Sequence, residues 1–306
     1  VSQTLANELS LLIKDIQLIK VDQPIDFKVR NCGSIIDLVT TYKEETNKLV
    51  IQLLQQYIEY HRPLQLNILY VTKGLERYKN TEFTMLGAHK AGFYHMLGHE
   101  YSHIRSKHLD LDPTCGDFKT NAQLIYNEII IGDADTSISI RNNIRYVKTI
   151  AIDTPKTQQA ADCLFKPNEV LIITGGTGGI GMECAKHFVS KYSVKNIILL
   201  ARKTEFLKFA HDKKYNLSER EKIQYENIRL LKDMGAKVTV ITPRLDHPEE
   251  INNMICESIL GHEVIAGVIH AAGTTDPETP AFIHKDPEQM WGVFLPKITG
   301  LQNLVQ

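Results

Sequence analysis

The sequence predicts an α/β fold with two subdomains, each a parallel sheet flanked by helices, the second incomplete at its C-terminal end. Short apolar runs rich in β-branched residues alternate with stretches whose apolar residues recur at helical spacing, which favours parallel sheets. One apolar run, Val170–Ile173, leads directly into the glycine-rich turn Gly175–Gly181 and then into a helical pattern. A length of 306 residues accommodates two ordinary domains.

Composition argues against several classes of protein. A formal net charge of −1 gives no electrostatic reason to expect binding to nucleic acid or to a membrane surface. No apolar run is long enough to span a bilayer, and the N-terminus has no signal-peptide pattern. The chain begins at Val1 without a methionine, which suggests an excised domain or a trimmed sequence. Five cysteines without a CxxC pair are typical of reduced thiols, and we expect a cytoplasmic protein.

Residues 1–155 are expected to form the first subdomain. Its strands and helices alternate, but no glycine-rich turn follows any of its strands. We therefore expect a structural subdomain that binds no nucleotide. The predicted helices are Leu5–Ile13, Glu44–His61 and Met85–Ile104, and the predicted strands are Ile16–Val21, Ser34–Leu38, Leu66–Thr72, Lys107–Leu111, Leu124–Gly132 and Ile144–Val147.

A different chemistry is suggested by the segment from His99 to His103, which fits the H-E-x-x-H pattern inside the predicted helix Met85–Ile104. On a helix this spacing brings His99, Glu100 and His103 to one face, as in zinc metalloproteases. Glu128 could be proposed as a third ligand, although it falls in a predicted strand. We favour solvent-facing histidines and no metal site, because so short a pattern recurs by chance. A zinc hydrolase remains as a less favoured alternative.

Residues 156–168 are polar and are expected to form a linker. Residues 169–306 then form the second, nucleotide-binding subdomain. The charged stretch Thr204–Lys222 is interpreted as a solvated insertion. The predicted strands are Val170–Ile173, Lys195–Leu200, Lys237–Thr242 and Val264–His270, and the predicted helices start near Met182 and cover Ile223–Met234 and Ile251–Leu260.

The glycine-rich turn is the main candidate for ligand binding. Glycines allow the backbone to approach a pyrophosphate closely, and the following helix offers unpaired N–H groups and a positive dipole end. Arg202 and Lys203 follow the next strand, and a basic pair there suits a ribose 2′-phosphate, which favours NADP over NAD. A tight turn without a ligand is the alternative. The candidate residues in the turn are Gly175, Thr177, Gly178, Gly179, Ile180 and Gly181.

Four motifs together, TGGTGGIG, LLARK, GVIHAAG and FLPKITGLQNL, resemble the ketoreductase domain of a modular polyketide synthase, a member of the short-chain dehydrogenase/reductase superfamily. The resemblance runs from Pro167 to the end and extends more weakly over the first half. It implies two Rossmann-like subdomains, the first degenerate and structural, the second NADP-binding. It also implies NADPH-dependent reduction of a β-ketoacyl thioester carried on an acyl carrier protein, within a larger synthase. A non-catalytic structural or docking domain of a synthase is the alternative.

The resemblance also assigns roles to individual residues. The small residues Ala271, Ala272 and Gly273 would lie against the ribose and nicotinamide of the cofactor, and Lys297 would be the catalytic lysine. Asp246 is a weak candidate for the adenine contact, because Arg244 stands where the family usually has an aspartate.

The family's catalytic serine, tyrosine and asparagine follow the next helix, whereas this sequence ends at Gln306. We expect a shortened sequence, with completion by a second chain or a non-catalytic remnant as alternatives. Of the family's stereochemical signature only Asp276 agrees, so no product configuration is assigned.

Overall fold

The computed structural model describes residues 2–21, 32–41, 43–61, 64–152, 165–209, 216–259, 261, 263–275 and 281–305. The chain divides into two compact units, one of residues 1–153 with 277–291 and one of residues 154–276 with 292–306. The predicted α/β fold with helix-flanked parallel sheets is confirmed. Most of the predicted linker 156–168, the residue Asp276 and part of the insertion 204–222 lie outside the described residues.

The first unit contains a five-stranded sheet in the order β1-β2-β3-β4-β5. The first four strands are parallel, and β5 is antiparallel to β4. Leucines of α1 pack with α4 and with alternate residues of β2 and β3 to form its core. Its elements are α1 (Ser2–Leu12), β1 (Ser34–Asp37), α2 (Glu44–His61), β2 (Leu66–Lys73), α3 (Ala88–Glu100), β3 (Ile104–Leu111), α4 (Phe118–Ile130), β4 (Ser137–Arg141) and β5 (Ile144–Val147).

Several predictions for this unit were wrong or incomplete. The predicted strand Ile16–Val21 has no regular secondary structure, and the predicted strand Leu124–Gly132 lies mostly within the helix α4. The predicted helix Met85–Ile104 is shorter and ends at Glu100, because the chain turns there into β3. The strand β4 was not predicted, and the sheet is not parallel throughout because β4 and β5 form a hairpin.

The second unit contains a four-stranded parallel sheet in the order β8-β7-β6-β9. The chain moves outward from β6 to β8 and then returns to the other side of β6. This reversal creates a switch point at the carboxyl ends of β6 and β9, where ligands bind in open α/β sheets. Its elements are β6 (Glu169–Thr174), α5 (Gly179–Tyr192), β7 (Asn196–Leu200), α6 (Glu205–Phe209), α7 (Glu219–Asp233), β8 (Lys237–Ile241), α8 (Pro248–Ser258) and β9 (Val264–His270), followed by α9 (Pro287–Lys297), whose last six residues belong to this unit, and α10 (Thr299–Val305).

Strand β6 lies at the centre of this sheet, and all of its residues from Val170 to Thr174 are buried. Apolar side chains of β6 alternate between two cores, one shared with α5 and α7 and the other with α8. The pairing aligns Thr174 with Leu200 of β7 and with His270 of β9. The carboxyl ends of these three strands therefore lie side by side.

Candidate cofactor site

The turn between β6 and α5 has a conformation that requires glycine at several places, among them Gly175 and Gly181. Gly175 has a φ of 63°, and a Cβ added to it would lie 2.7 Å from the carbonyl oxygen of Ala271. A Cβ on Gly181 would lie 2.6 Å from the carbonyl oxygen of Gly175. Both distances are far below van der Waals contact, so these glycines let the turn fold tightly against itself and against the loop after β9.

The same turn leaves the N-terminus of α5 open. Gly178 is the N-cap and provides no side chain to cap the helix. The first N–H groups of a helix have no partner within it, and the helix dipole makes this end favourable for an anion. Gly179 and Ile180 are exposed, and a Cβ added to Gly179 would meet no atom within 4 Å. The turn therefore has the donors and the free space that a pyrophosphate needs.

The basic pair predicted to bind a 2′-phosphate lies beside this turn. The N–H of Gly176 donates to the carbonyl oxygen of Leu200 at 3.3 Å, so the end of β7 adjoins the glycine turn. Arg202 and Lys203 follow that end and are both exposed. Hydrogen bonds from Ser218 hold the pKa of Glu221 below its usual value, and the positive charge of Lys203 contributes to the same lowering.

Thr177 is the one hydroxyl residue of the turn. Its side chain is buried, and its Oγ1 lies 3.5 Å from Nε2 of Gln224 on α7. Sequence reasoning singled out Thr177 but not Gln224, because a glutamine in a polar helix carries no signal of its own.

The small residues after β9 form the second wall of the site. The N–H of Ala271 donates to the carbonyl oxygen of Thr174 at 3.2 Å, and the N–H of Ala272 donates to Oγ1 of Thr174 at 3.1 Å. A Cβ added to Gly273 would lie 3.6 Å from Cε of Lys297, whose side chain is exposed at the end of α9. The structure thus brings the loop from Ala271 to Gly273 together with the glycine turn and with Lys297.

The weak candidate Asp246 is less closely tied to this site. Its exposed carboxylate lies 3.6 Å from Nε2 of His247. Arg244, which stands where the family has an aspartate, has its Nε 3.2 Å from the carboxylate of Glu250, and hydrogen bonds from Arg244 lower the pKa of that carboxyl. Arg244 therefore forms an ion pair with a residue of α8.

Several residues that shape the site were missed in the sequence. Thr174 and His270 end their strands and hydrogen-bond to each other. The carbonyl oxygen of Pro296 lies within hydrogen-bond distance of Nε2 of His270, and the hydroxyl of Thr274 donates to the carbonyl oxygen of Gly292. His270 lies inside the motif GVIHAAG, and a polar residue that ends an apolar strand is the signal that could have found it.

The H-E-x-x-H pattern does not form a metal site in the part of the chain that the structure describes. His99 and Glu100 end α3, whereas His103 lies in the following turn. The carboxylate of Glu100 accepts the N–H of Phe282 at 2.7 Å. Among the described residues, no group of three or more histidine, cysteine, aspartate or glutamate side chains is arranged to hold a metal ion. The proposed third ligand, Glu128, instead binds Arg145 and Lys107.

None of the described helices is both long and apolar enough to cross a membrane.

Comparison with known proteins gives the class of the second half of the chain. Residues 170–306 match the family described as the KR domain. The polyketide synthase PksL of Bacillus subtilis is 35% identical over 263 residues, which are 83% of this chain and 6% of that synthase. The 6-methylsalicylic acid synthase of Aspergillus terreus is 28% identical over 152 residues, which are 48% of this chain and 8% of that enzyme. The chain thus spans less than a tenth of the length of these relatives.

Solved structures agree on the fold. A ketoreductase domain from the bacillaene assembly line superposes with a TM-score of 0.67 at 20% identity, covering 98% of this chain and 63% of that one. An A-type ketoreductase from a modular polyketide synthase gives a TM-score of 0.67 at 18% identity, covering 85% and 51%.

The fold and the matched motifs define a KR domain, a class of oxidoreductase domain that uses nicotinamide cofactors. More particularly, residues 170–306 belong to the ketoreductase domains of the polyketide synthase type, and the resemblance seen in the motifs is confirmed.

Proposed function

We propose that this chain binds NADPH and takes part in reducing a β-ketoacyl thioester, carried on an acyl carrier protein, to the β-hydroxyacyl thioester during polyketide synthesis. We further propose that it works next to other domains of a larger synthase, as expected from the multidomain relatives that it matches. The main support is one arrangement: the glycine turn, the basic pair and the loop beside Lys297 all lie at the carboxyl ends of β6, β7 and β9.

The chain's own residues divide the binding of the cofactor among them. N–H groups of the first turn of α5 would hold the pyrophosphate, and Arg202 with Lys203 would hold the 2′-phosphate. The small side chains of Ala271 and Ala272 leave room for the ribose and the nicotinamide. Bound NADPH supplies the hydride that adds to the keto carbon.

Lys297 would act through its charge. An ammonium beside the nicotinamide ribose can donate hydrogen bonds to the ribose hydroxyls, and it favours the ionised form of a nearby phenol. The resemblance assigns the proton donor to a tyrosine that follows this stretch in the family. We propose no residue among 1–306 for that role.

The proposal is tested by titrating the 306-residue chain with NADPH and with NADH, using cofactor fluorescence. Arg202→Ala is expected to weaken NADPH binding by about tenfold or more, because it removes a charge-assisted hydrogen bond to the phosphate. NADH binding should change much less, since NADH lacks the 2′-phosphate.

Arg229→Ala is the matched control, because Arg229 is an exposed arginine on α7 that pairs with Glu226 and Asp233. An equal loss of NADH and NADPH binding in Arg202→Ala would contradict the 2′-phosphate assignment. Failure of the wild-type chain to bind either cofactor would remove the cofactor proposal and favour a non-catalytic structural or docking domain.

A further inference from the structure

A chain of hydrogen bonds crosses the cofactor site from one wall to the other. The N–H of Ala272 donates to Oγ1 of Thr174 at 3.1 Å, and that oxygen lies 2.7 Å from Nδ1 of His270. On the far side of the ring, Nε2 of His270 lies 2.9 Å from the carbonyl oxygen of Pro296. One imidazole therefore connects β6, the loop after β9 and the last turn of α9.

The chemistry of the partners fixes the direction of each hydrogen bond. A carbonyl oxygen can only accept, so Nε2 of His270 must carry a proton and donate to Pro296. In the neutral ring Nδ1 is then an acceptor, and the hydroxyl of Thr174 donates to it. The oxygen of Thr174 is left to accept from Ala272, so every donor in the chain has an acceptor.

The bond to Pro296 falls at the end of a helix. Helix α9 ends at Lys297, and the last four carbonyl groups of a helix have no partner within it. A histidine side chain is one of the groups that can satisfy such a carbonyl. His270 therefore caps the turn that carries Lys297, one residue before the lysine itself.

A second contact ties the same loop to the same helix. Pro296 has no N–H, so the carbonyl of Gly292, four residues earlier, loses its usual helical partner. The hydroxyl of Thr274 donates to that carbonyl at 3.4 Å. Both carbonyls around the proline are thus met by residues of the β9 end and its loop.

We propose that His270 is a positioning residue that sets the distance between the loop Ala271–Gly273 and Lys297, and so places the lysine ammonium against the bound cofactor. This inference rests on the proposed binding of NADPH. A Cβ on Gly273 would lie only 3.6 Å from the lysine Cε, and the hydrogen bonds of His270 explain this closeness.

The proposal is first tested with three substitutions whose side chains keep different parts of the imidazole. His270→Ala removes both hydrogen bonds and is expected to weaken NADPH binding by about five- to tenfold. His270→Asn keeps an acceptor near the position of Nδ1, and His270→Gln keeps a donor near the position of Nε2. If the link to Pro296 matters most, glutamine recovers more of the affinity than asparagine. His187→Ala, at an exposed histidine of α5, is the matched control and should bind NADPH as the wild type does.

A double-mutant cycle distinguishes positioning from a general loss of stability. If His270 acts through Lys297, then His270→Ala should cost much less affinity in a Lys297→Met background than in the wild type. In an Arg202→Ala background its cost should be unchanged, because the 2′-phosphate site is not part of the hydrogen-bond chain. Equal costs in all three backgrounds would overturn the proposal.

A measurement without cofactor keeps the two proposals apart. In ¹⁵N NMR spectra, Nε2 of His270 should carry a proton, and His270→Ala should shift the amide signals of both Ala272 and Lys297. If the wild type fails to bind NADPH, the proposed function is contradicted. The spectra still test whether His270 links the loop Ala271–Gly273 to Lys297. Protonation at Nδ1 alone, or an unmoved Lys297 signal in His270→Ala, would contradict the positioning role.

Discussion

At the scale of single residues, the glycines of the turn after β6 serve two different purposes. A Cβ on Gly175 would lie 2.7 Å from the oxygen of Ala271, whereas a Cβ on Gly179 would meet nothing within 4 Å. The first glycine is therefore required by the fold of the chain itself. The second is required only if something else fills the open space at the start of α5.

This difference gives a prediction that separates folding from cofactor binding. Gly179→Ala should keep the fold and add up to about 1 kcal/mol of stability, because alanine favours helix over glycine. It should nevertheless weaken NADPH binding by about tenfold, since its methyl group would occupy the space proposed for the pyrophosphate. Thermal unfolding and fluorescence titration measure the two effects.

Gly175→Ala is the contrasting variant. Its φ of 63° and the clash with Ala271 should cost roughly 2 kcal/mol or more of stability, through left-handed strain and the distorted turn. Undiminished NADPH binding by Gly179→Ala would show that the space at the start of α5 is not where the pyrophosphate binds.

The residues of the site differ in how readily they could be predicted. The glycines and Arg202 follow from local patterns, because a strand, a glycine turn and a helix are contiguous in the sequence. Thr174 and His270 could not be found in this way, since their hydrogen bond joins residues 96 positions apart. Asp246 is a candidate only because it lies two residues after Arg244, which stands where the family has an aspartate, and that position does not determine where its carboxylate points.

At the scale of secondary structure, α4 shows where an apolar run misleads. The three residues Ile129–Ile131 are all apolar and β-branched, which is typical of a buried strand. The segment is helical because Asp117 caps it by accepting the N–H of Thr120, and because Ala122, Ile125 and Glu128 are buried on one face. Neither the cap nor a buried glutamate is apparent from hydrophobicity alone.

The buried Glu128 on α4 forms ion pairs with two cationic side chains. Its carboxylate lies 2.9 Å from Nε of Arg145 on β5 and 3.0 Å from Nζ of Lys107 on β3. Burial alone would raise the pKa of Glu128, but hydrogen bonds from Arg145 and Lys107 outweigh it and hold the pKa below 4.5. The ion pairs thus join a helix and two strands.

Glu128→Gln is predicted to destabilise this part of the first unit by about 2 kcal/mol, because the charge that both cations share is lost. A depressed native pKa stabilises the fold above the unfolded pKa of the glutamate, and this contribution is lost as the pH falls through the native pKa. The wild type should therefore lose stability on acidification below about pH 4.5, and the variant should lose less. Native-state hydrogen exchange of amides in α4 and β3 measures both effects.

Asp135→Asn is the matched control for this network. Asp135 binds the same Arg145 at 2.8 Å, but its side chain is about one-third exposed, so its loss should matter much less. Equal effects of the two substitutions would show that burial of Glu128 does not set the strength of the pairing.

At the scale of the whole chain, the two units differ in whether charged side chains occupy the carboxyl ends of their strands. In the second unit the turn after β6 is open and has no charged side chain. In the first unit the carboxylate of Asp110 accepts the N–H groups of Leu75 and Glu76 and pairs with the buried Arg141 at 2.6 Å. In the first unit, a side chain of the protein therefore already accepts from the backbone N–H groups that could otherwise bind a ligand.

The sequence predicts this difference between the two units only in part. The missing glycine turn suggested that the first half binds no nucleotide, but the ion pair between Asp110 and Arg141 joins residues 31 positions apart and has no local pattern. The sheet order β8-β7-β6-β9 likewise depends on long-range pairing, although it follows the usual arrangement of such folds.

The last prediction concerns where NADPH acts along the chain. A ligand that binds only the folded state stabilises it by about 2.7 kcal/mol when its concentration is one hundred times its Kd. Hydrogen exchange should therefore slow most at the start of α5, at the end of β7, at residues 271–273 and at the end of α9. The amides of Leu75 and Glu76, already held by Asp110, should show the smallest change.

Arg202→Ala at the same NADPH concentration should reduce the protection, since fewer molecules are bound. Protection centred on the first unit would contradict the assignment, because it would place the cofactor where side chains of the protein already occupy the donors.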